Sequence, residues 1–298
     1  MRVNPNYSND MATLMDQAQQ AENNAAQQLS TGRRVNQPSD DPAAEAAMIG
    51  ENSRAASVDQ YTANSDSLTN VLNTANSTLN SVTNLLQRAV SLGVEGANGD
   101  MNQSDLNSIA QEVSGIQSQM LSLANTSYAG QYLFAGTATG SAPYVADPAT
   151  PSQIDYVGNS QQMKVQIGTG LSVAANLPGS SIFSQPNANV FEGLQSLITA
   201  LQSGDSSSIA TAEVAVNNSL NAVNTAQVFY GGTVNELTNN ESFLSQEKLN
   251  ITTYQNTLVS ADVATAATNA TASETALNAT VAAASQVDQQ VNLLDYLK

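Results

Sequence analysis

Apolar residues recur at heptad spacing in the first and last stretches of this chain, and neither stretch can bury its stripe alone. Near the N-terminus the stripe is Met11, Leu14, Ala18, Ala21 and Ala25, at steps of three and four. Near the C-terminus Val263, Ala270, Leu277, Ala284 and Val291 recur every seventh residue, with Ala267, Val281, Val287 and Leu294 beside them. Such stripes require a partner helix. The nearest partners are each other, which leaves the residues between them to form the body of the molecule. A chain whose paired ends then need neighbours points towards architecture before chemistry.

Composition narrows the function further. Lys and Arg total 8 against 25 Asp and Glu, a formal net charge of −17. A polyanion repels phosphate backbones and anionic headgroups, so neither nucleic acid nor a membrane surface is an expected partner. Histidine and cysteine are both absent. That removes the Ser-His-Asp, Cys-His and His-zinc chemistries outright. The chain is expected to be no enzyme and to carry no cofactor, metal or catalytic residue. The opening residues Met1 to Tyr7 lack the apolar run of a Sec-type signal, and no segment approaches transmembrane length. Export, if it occurs, is expected by another route.

Along the chain, Leu68, Leu72, Ala75, Leu79, Val82, Leu86 and Ala89 alternate by four and three, the register of a long helix beginning at Pro42. Gly93, Gly96 and Gly99 are expected to end it. A second stripe follows from Leu106 through Ile109, Val113, Ile116 and Met120 to Leu123, so the two read as an antiparallel helical hairpin. From Gly130 to about Gln185 the texture changes to aromatics, glycines and prolines. There Met163, Val165 and Ile167 alternate with polar residues as in a half-buried strand. Helix returns at Phe191, stops near Gly204, resumes through Val216 and Val223, and is expected to turn at Gly231-Gly232. Leu237, Leu244, Ile251 and Leu258 then repeat by seven before a step of five to Val263 shifts the stripe. Ser260-Ala261-Asp262 can cap a new helix there, and a boundary is placed at that point.

The fold expected is mainly α: N- and C-terminal helices paired in a coiled coil, a long antiparallel helical bundle, and a small inserted β domain. The expected domains are 1–41 with 262–298, 42–135 with 186–261, and 136–185. The terminal residues Met11, Leu14, Val263, Leu277, Val281, Val287, Val291 and Leu294 are candidates for an assembly seam.

Between the first two helices runs Leu29-Ser30-Thr31-Gly32-Arg33-Arg34-Val35-Asn36-Gln37-Pro38-Ser39-Asp40-Asp41-Pro42. Gly32 suits a helix C-terminus, Asp41 an N-cap and Pro42 the first helical position. Helix stop and helix start explain all of these locally. They leave Arg33 and Arg34 unexplained, two cations side by side in a chain with few, and these are candidates for docking on an acidic surface of a neighbouring subunit.

This segment resembles the hallmark run of the flagellin superfamily, and the proline after the paired aspartates is similar to its hook-associated members. Ala124-Asn125 with Gly130 and Tyr132-Leu133-Phe134-Ala135-Gly136 resembles the signature of the hook–filament junction family, hook-associated protein 3. The ending Leu293-Leu294-Asp295-Tyr296-Leu297-Lys298 looks like that family too. The resemblance implies a structural axial protein of the bacterial flagellum that joins the hook, through the first hook-associated protein, to the flagellin filament. It implies self-association in a ring or helical layer, an extracellular location, and a type III export chaperone. Two other readings compete: a filament flagellin, and a secreted helical coiled-coil adhesin or binding module.

Overall fold

The computed structural model of the chain describes residues 7–148, 150 and 152–295. Six helices carry most of it: α1 (Tyr7–Thr31), α2 (Pro42–Ala97), α3 (Gln103–Ala124), α4 (Val190–Ser203), α5 (Ser206–Val259) and α6 (Val263–Asp295). Between α3 and α4 lie eight short strands: β1 (Ser127–Tyr128), β2 (Gln131–Tyr132), β3 (Tyr144–Ala146), β4 (Ile154–Tyr156), β5 (Lys164–Gly168), β6 (Leu171–Ala174), β7 (Ser184–Gln185) and β8 (Ala188–Asn189). They pair in sequence order as four separate antiparallel hairpins. The expected architecture is present. Residues divide into two compact units, Val58–Ser245 and the remainder, and α2 and α5 each run through both.

In the larger unit the predicted stripes form the core. Leu72, Leu79, Val82, Leu86 and Ala89 of α2 are fully buried, and so are Val113 and Met120 of α3 and Leu194, Leu197 and Leu201 of α4. At about 25 cal/mol per Å² of apolar area, burying each such leucine contributes about 1.5–3 kcal/mol. Asn102 caps α3 by accepting from the Asp105 amide, and Asn189 caps α4 by accepting from Phe191 and Glu192. Gly204, at φ 74, closes α4 in the left-handed region, as its sequence context predicts.

The other glycines correct the sequence reading. Gly93 and Gly96 lie inside α2 and do not end it; only Gly99 falls in the following turn. A Cβ on Gly96 would stand 2.4 Å from Leu201 Cδ2, so the missing side chain admits α4 against α2. Nor does the chain turn at Gly231-Gly232, since α5 continues through them. Val216, Val223, Tyr230, Leu237 and Leu244 are buried in one unbroken series of sevens. Tyr230 supplies the step that joins the two stripes, and burial on one face outweighs the low helix propensity of the glycines.

The hairpins are held by aromatic packing and side-chain amides. Phe134 stands edge-to-face on Phe183 with ring centroids 5.3 Å apart, and Tyr144 contacts both Phe183 and Phe191. The β1–β2 turn places Ala129 and Gly130 at φ 50 and 80, both in the left-handed region. β5 alternates as predicted, with Ile167 buried and Lys164 and Gln166 exposed. Asn64 of α2 donates to the Gln166 carbonyl and Asn240 of α5 to that of Ile167, each at 2.8 Å, so the β5–β6 hairpin is tied to both helices. Tyr230 Oη accepts from the Leu177 amide at 3.1 Å, and its burial pushes the phenol pKa up to about 12.

Candidate assembly surface

In the smaller unit α1 packs along α6. Gly32, at φ 67, ends α1, with its amide donating to the Gln28 carbonyl at 2.9 Å. The chain then runs antiparallel to the end of α5. Arg33 bridges Ser260, the Arg34 amide donates to Val259 O at 2.7 Å, and the Ala261 amide donates to Gly32 O at 2.9 Å. The C-terminal end of α1 therefore meets the N-terminal end of α6, and the two helices run antiparallel.

The joint is stabilised from both sides. Asp262 caps α6 by accepting from the Ala264 amide at 2.9 Å and the Thr265 hydroxyl at 3.2 Å. Asp41 caps α2 by accepting from the Ala44 amide at 3.0 Å, with Pro42 at the first helical position. Asp40 folds the loop by accepting from the amides of Asn36 and Gln37, both at 2.9 Å. These backbone donors hold the carboxyls of Asp40, Asp41 and Asp262 below their ordinary range, with Arg34 adding to the effect on Asp41. Beneath the loop Val35, Ala44 and Val259 are buried together, with Met48 and Leu258 against them.

Arg34 is committed within the chain: its guanidinium contacts Asp41 Oδ2 at 3.0 Å and donates to the Leu258 carbonyl at 2.9 Å. Arg33 is exposed, and among the described residues no ion pair engages it. The two arginines that the sequence sets side by side thus do different work.

The α1–α6 seam uses seven of the eleven predicted stripe positions whose side chains are described. On α1 the covered positions are Met11, Met15, Ala18, Glu22, Ala25 and Gln28; on α6 they are Ala266, Ala267, Ala270, Ser273, Leu277, Thr280 and Ala284. Leu14, Ala21, Val263 and Val281 face outward instead and are exposed. Small residues let the helices approach closely, and Met15 and Glu22, not Leu14 and Ala21, complete the heptad. The side chains of Val287, Val291 and Leu294 lie outside the described residues. Sequence reasoning missed the Val35 nucleus. Its signal was a lone apolar residue in a polar loop.

Among the described residues no group of three or more acidic side chains is placed to hold a metal, and no helix is long and apolar enough to cross a membrane. What the geometry offers is a helical pair with apolar side chains turned outward.

Antiparallel terminal helices, a capped break around Gly32 and Asp41, and hairpins set between long helices define a protein of the flagellin class, and residues 3–139 match the bacterial flagellin N-terminal helical region. The flagellar hook-associated protein 3 of Escherichia coli is 32% identical over 260 residues, covering 79% of this chain and 80% of that protein. The corresponding Salmonella typhimurium protein is 30% identical over the same shares. A flagellar hook-associated protein of Vibrio parahaemolyticus has the same fold, with a TM-score of 0.69 and 22% identity over 74% of this chain and 99% of that one. The chain belongs to the flagellar hook-associated protein 3 family, whose members are structural proteins of the flagellum.

Proposed function

We propose that this chain is an axial subunit of the extracellular bacterial flagellum that joins the hook to the flagellin filament. The observation that carries the mechanism is the outward display of Leu14, Val263 and Val281 on a helical pair whose own seam is mostly small residues, alanine, serine and threonine. Exposed apolar side chains on a paired helix gain stability when neighbouring copies cover them. In this reading 1–41 with 262–298 is the inner, assembling domain, 42–135 with 186–261 the helical bundle, and 136–185 the inserted β domain. Met11 and Leu277 belong to the seam between the two helices, and Val287, Val291 and Leu294 are assigned to the assembling surface from their sequence spacing alone.

Arg33, held outward by the joint that Arg34 fastens, docks on an acidic neighbour. The neighbours are further copies in a ring or helical layer, the first hook-associated protein on one side and flagellin on the other. A cytoplasmic chaperone accompanies the chain to the type III export apparatus. Membership of the hook-associated protein 3 family favours this position over that of a filament subunit.

Deleting the gene tests the reading. Electron micrographs should then show hooks without filaments, with flagellin shed into the medium, and the full-length gene should restore attachment. Filaments still attached to the hooks of deleted cells would refute it.

A further inference from the structure

We propose that one outer face of α5, marked by Val214, Val228 and Phe243, is a contact surface for a second copy of this chain. The inference rests on the assembly reading above and names a surface for it outside the terminal helices.

The three side chains are 54%, 75% and 64% exposed. At about 100° per residue they fall within an arc of about 60° on the helix. Asn221, Thr225, Gly232 and Asn239 complete that arc, all exposed and uncharged. The strip extends about 44 Å at a rise of about 1.5 Å per residue. Around it the unit is strongly acidic, since 58–245 holds thirteen Asp and Glu against two cations, Arg88 and Lys164. Arg88 is paired with Glu112 at 2.7 Å. Two copies of such a body repel each other except where charge is absent, and interface cores are depleted of charge in the same way. An uncharged strip bearing Val214, Val228 and Phe243 on a polyanion suits a like-charged partner, and the like-charged partner present at highest local density in a ring is another copy.

An independent observation comes from the glycines. Gly231 and Gly232 lie mid-helix, where each costs about 1 kcal/mol relative to alanine. Gly96 justifies itself by admitting Leu201. A Cβ on Gly231 or Gly232 would meet nothing within 4 Å in this chain. Their smallness serves no packing inside the molecule. It does let a neighbouring backbone come close beside Val228.

The test replaces Phe243 with the photo-crosslinking residue p-benzoylphenylalanine in the full-length protein, expressed in cells lacking the native gene. Irradiation of isolated flagella should give an adduct at twice the 31.0 kDa mass of the chain, containing peptides of this chain alone. In parallel, Val228→Asp should abolish filament attachment and leave the melting temperature of the purified monomer unchanged. Absence of the adduct, an adduct only to another flagellar protein, or normal attachment with Val228→Asp would each overturn the proposal. Attached filaments in the gene-deleted parent would instead refute the junction reading, so the two failures are distinguishable.

Discussion

Arg34 and Asp41 form an ion pair at 3.0 Å across the loop between α1 and α2, and the same guanidinium donates to the carbonyl of Leu258 at the end of α5. One side chain thereby links the start of the chain to the break that precedes α6. The Asp41 pKa is depressed, first by the Ala44 amide and then by Arg34. A depressed carboxylate contributes stability that is complete above its ordinary value of 3.8 and is lost as pH falls through the lower folded value. Asp40 and Asp262 act in the same direction at the same joint. Protease cleavage within α1 and α6 should accelerate as pH drops below about 4, with an acid-active protease as the probe. Arg34→Met should accelerate chymotryptic cleavage there already at neutral pH, leaving the melting of the Val58–Ser245 unit in place. Unchanged cleavage would mean that the loop is held without Arg34.

The glycines of the two long helices should respond oppositely to alanine. Gly96→Ala forces a Cβ onto buried Leu201 and should destabilise the monomer by about 1–3 kcal/mol. Gly232→Ala meets open space and should stabilise it by about 0.5–1 kcal/mol. Urea denaturation of the two purified variants measures both signs.

Phe134 is fully buried against Phe183 and anchors the segment entering the hairpins. Phe134→Ala should cost about 3–5 kcal/mol. The midpoint of chemical denaturation should fall accordingly. A loss below about 1 kcal/mol would show that the aromatic cluster is not part of the cooperative core.

The helices, their order and most of their buried faces were legible because amphipathic spacing survives in sequence. The stripe from Leu68 to Ala89 reads the same in both. Two things were not legible. Gly93, Gly96, Gly231 and Gly232 look like breaks in sequence, because propensity says nothing about a neighbouring helix or about a heptad continuing through Tyr230. The terminal seam was only partly legible: alanine, serine and threonine are small enough to sit on either face, and the register through Met15 passes through Glu22, which a search for apolar spacing passes over in favour of Leu14 and Ala21. Which arginine turns outward depends on the Leu258 carbonyl, far away in the chain.

If Leu14 and Val281 serve neighbours and not the monomer, replacing both with asparagine should leave solubility and melting temperature unchanged. Attachment of filaments should fail. A lowered melting temperature would assign these side chains to the monomer core.

The position of the protein along the flagellum tests the account most directly. The chain contains no cysteine, so Ser122→Cys at an exposed position of α3 gives a single thiol for a gold label. In electron micrographs of flagella built from this variant, the account predicts gold at one point per flagellum, where hook meets filament. Gold along the whole filament, or spread over the cell surface, would contradict it.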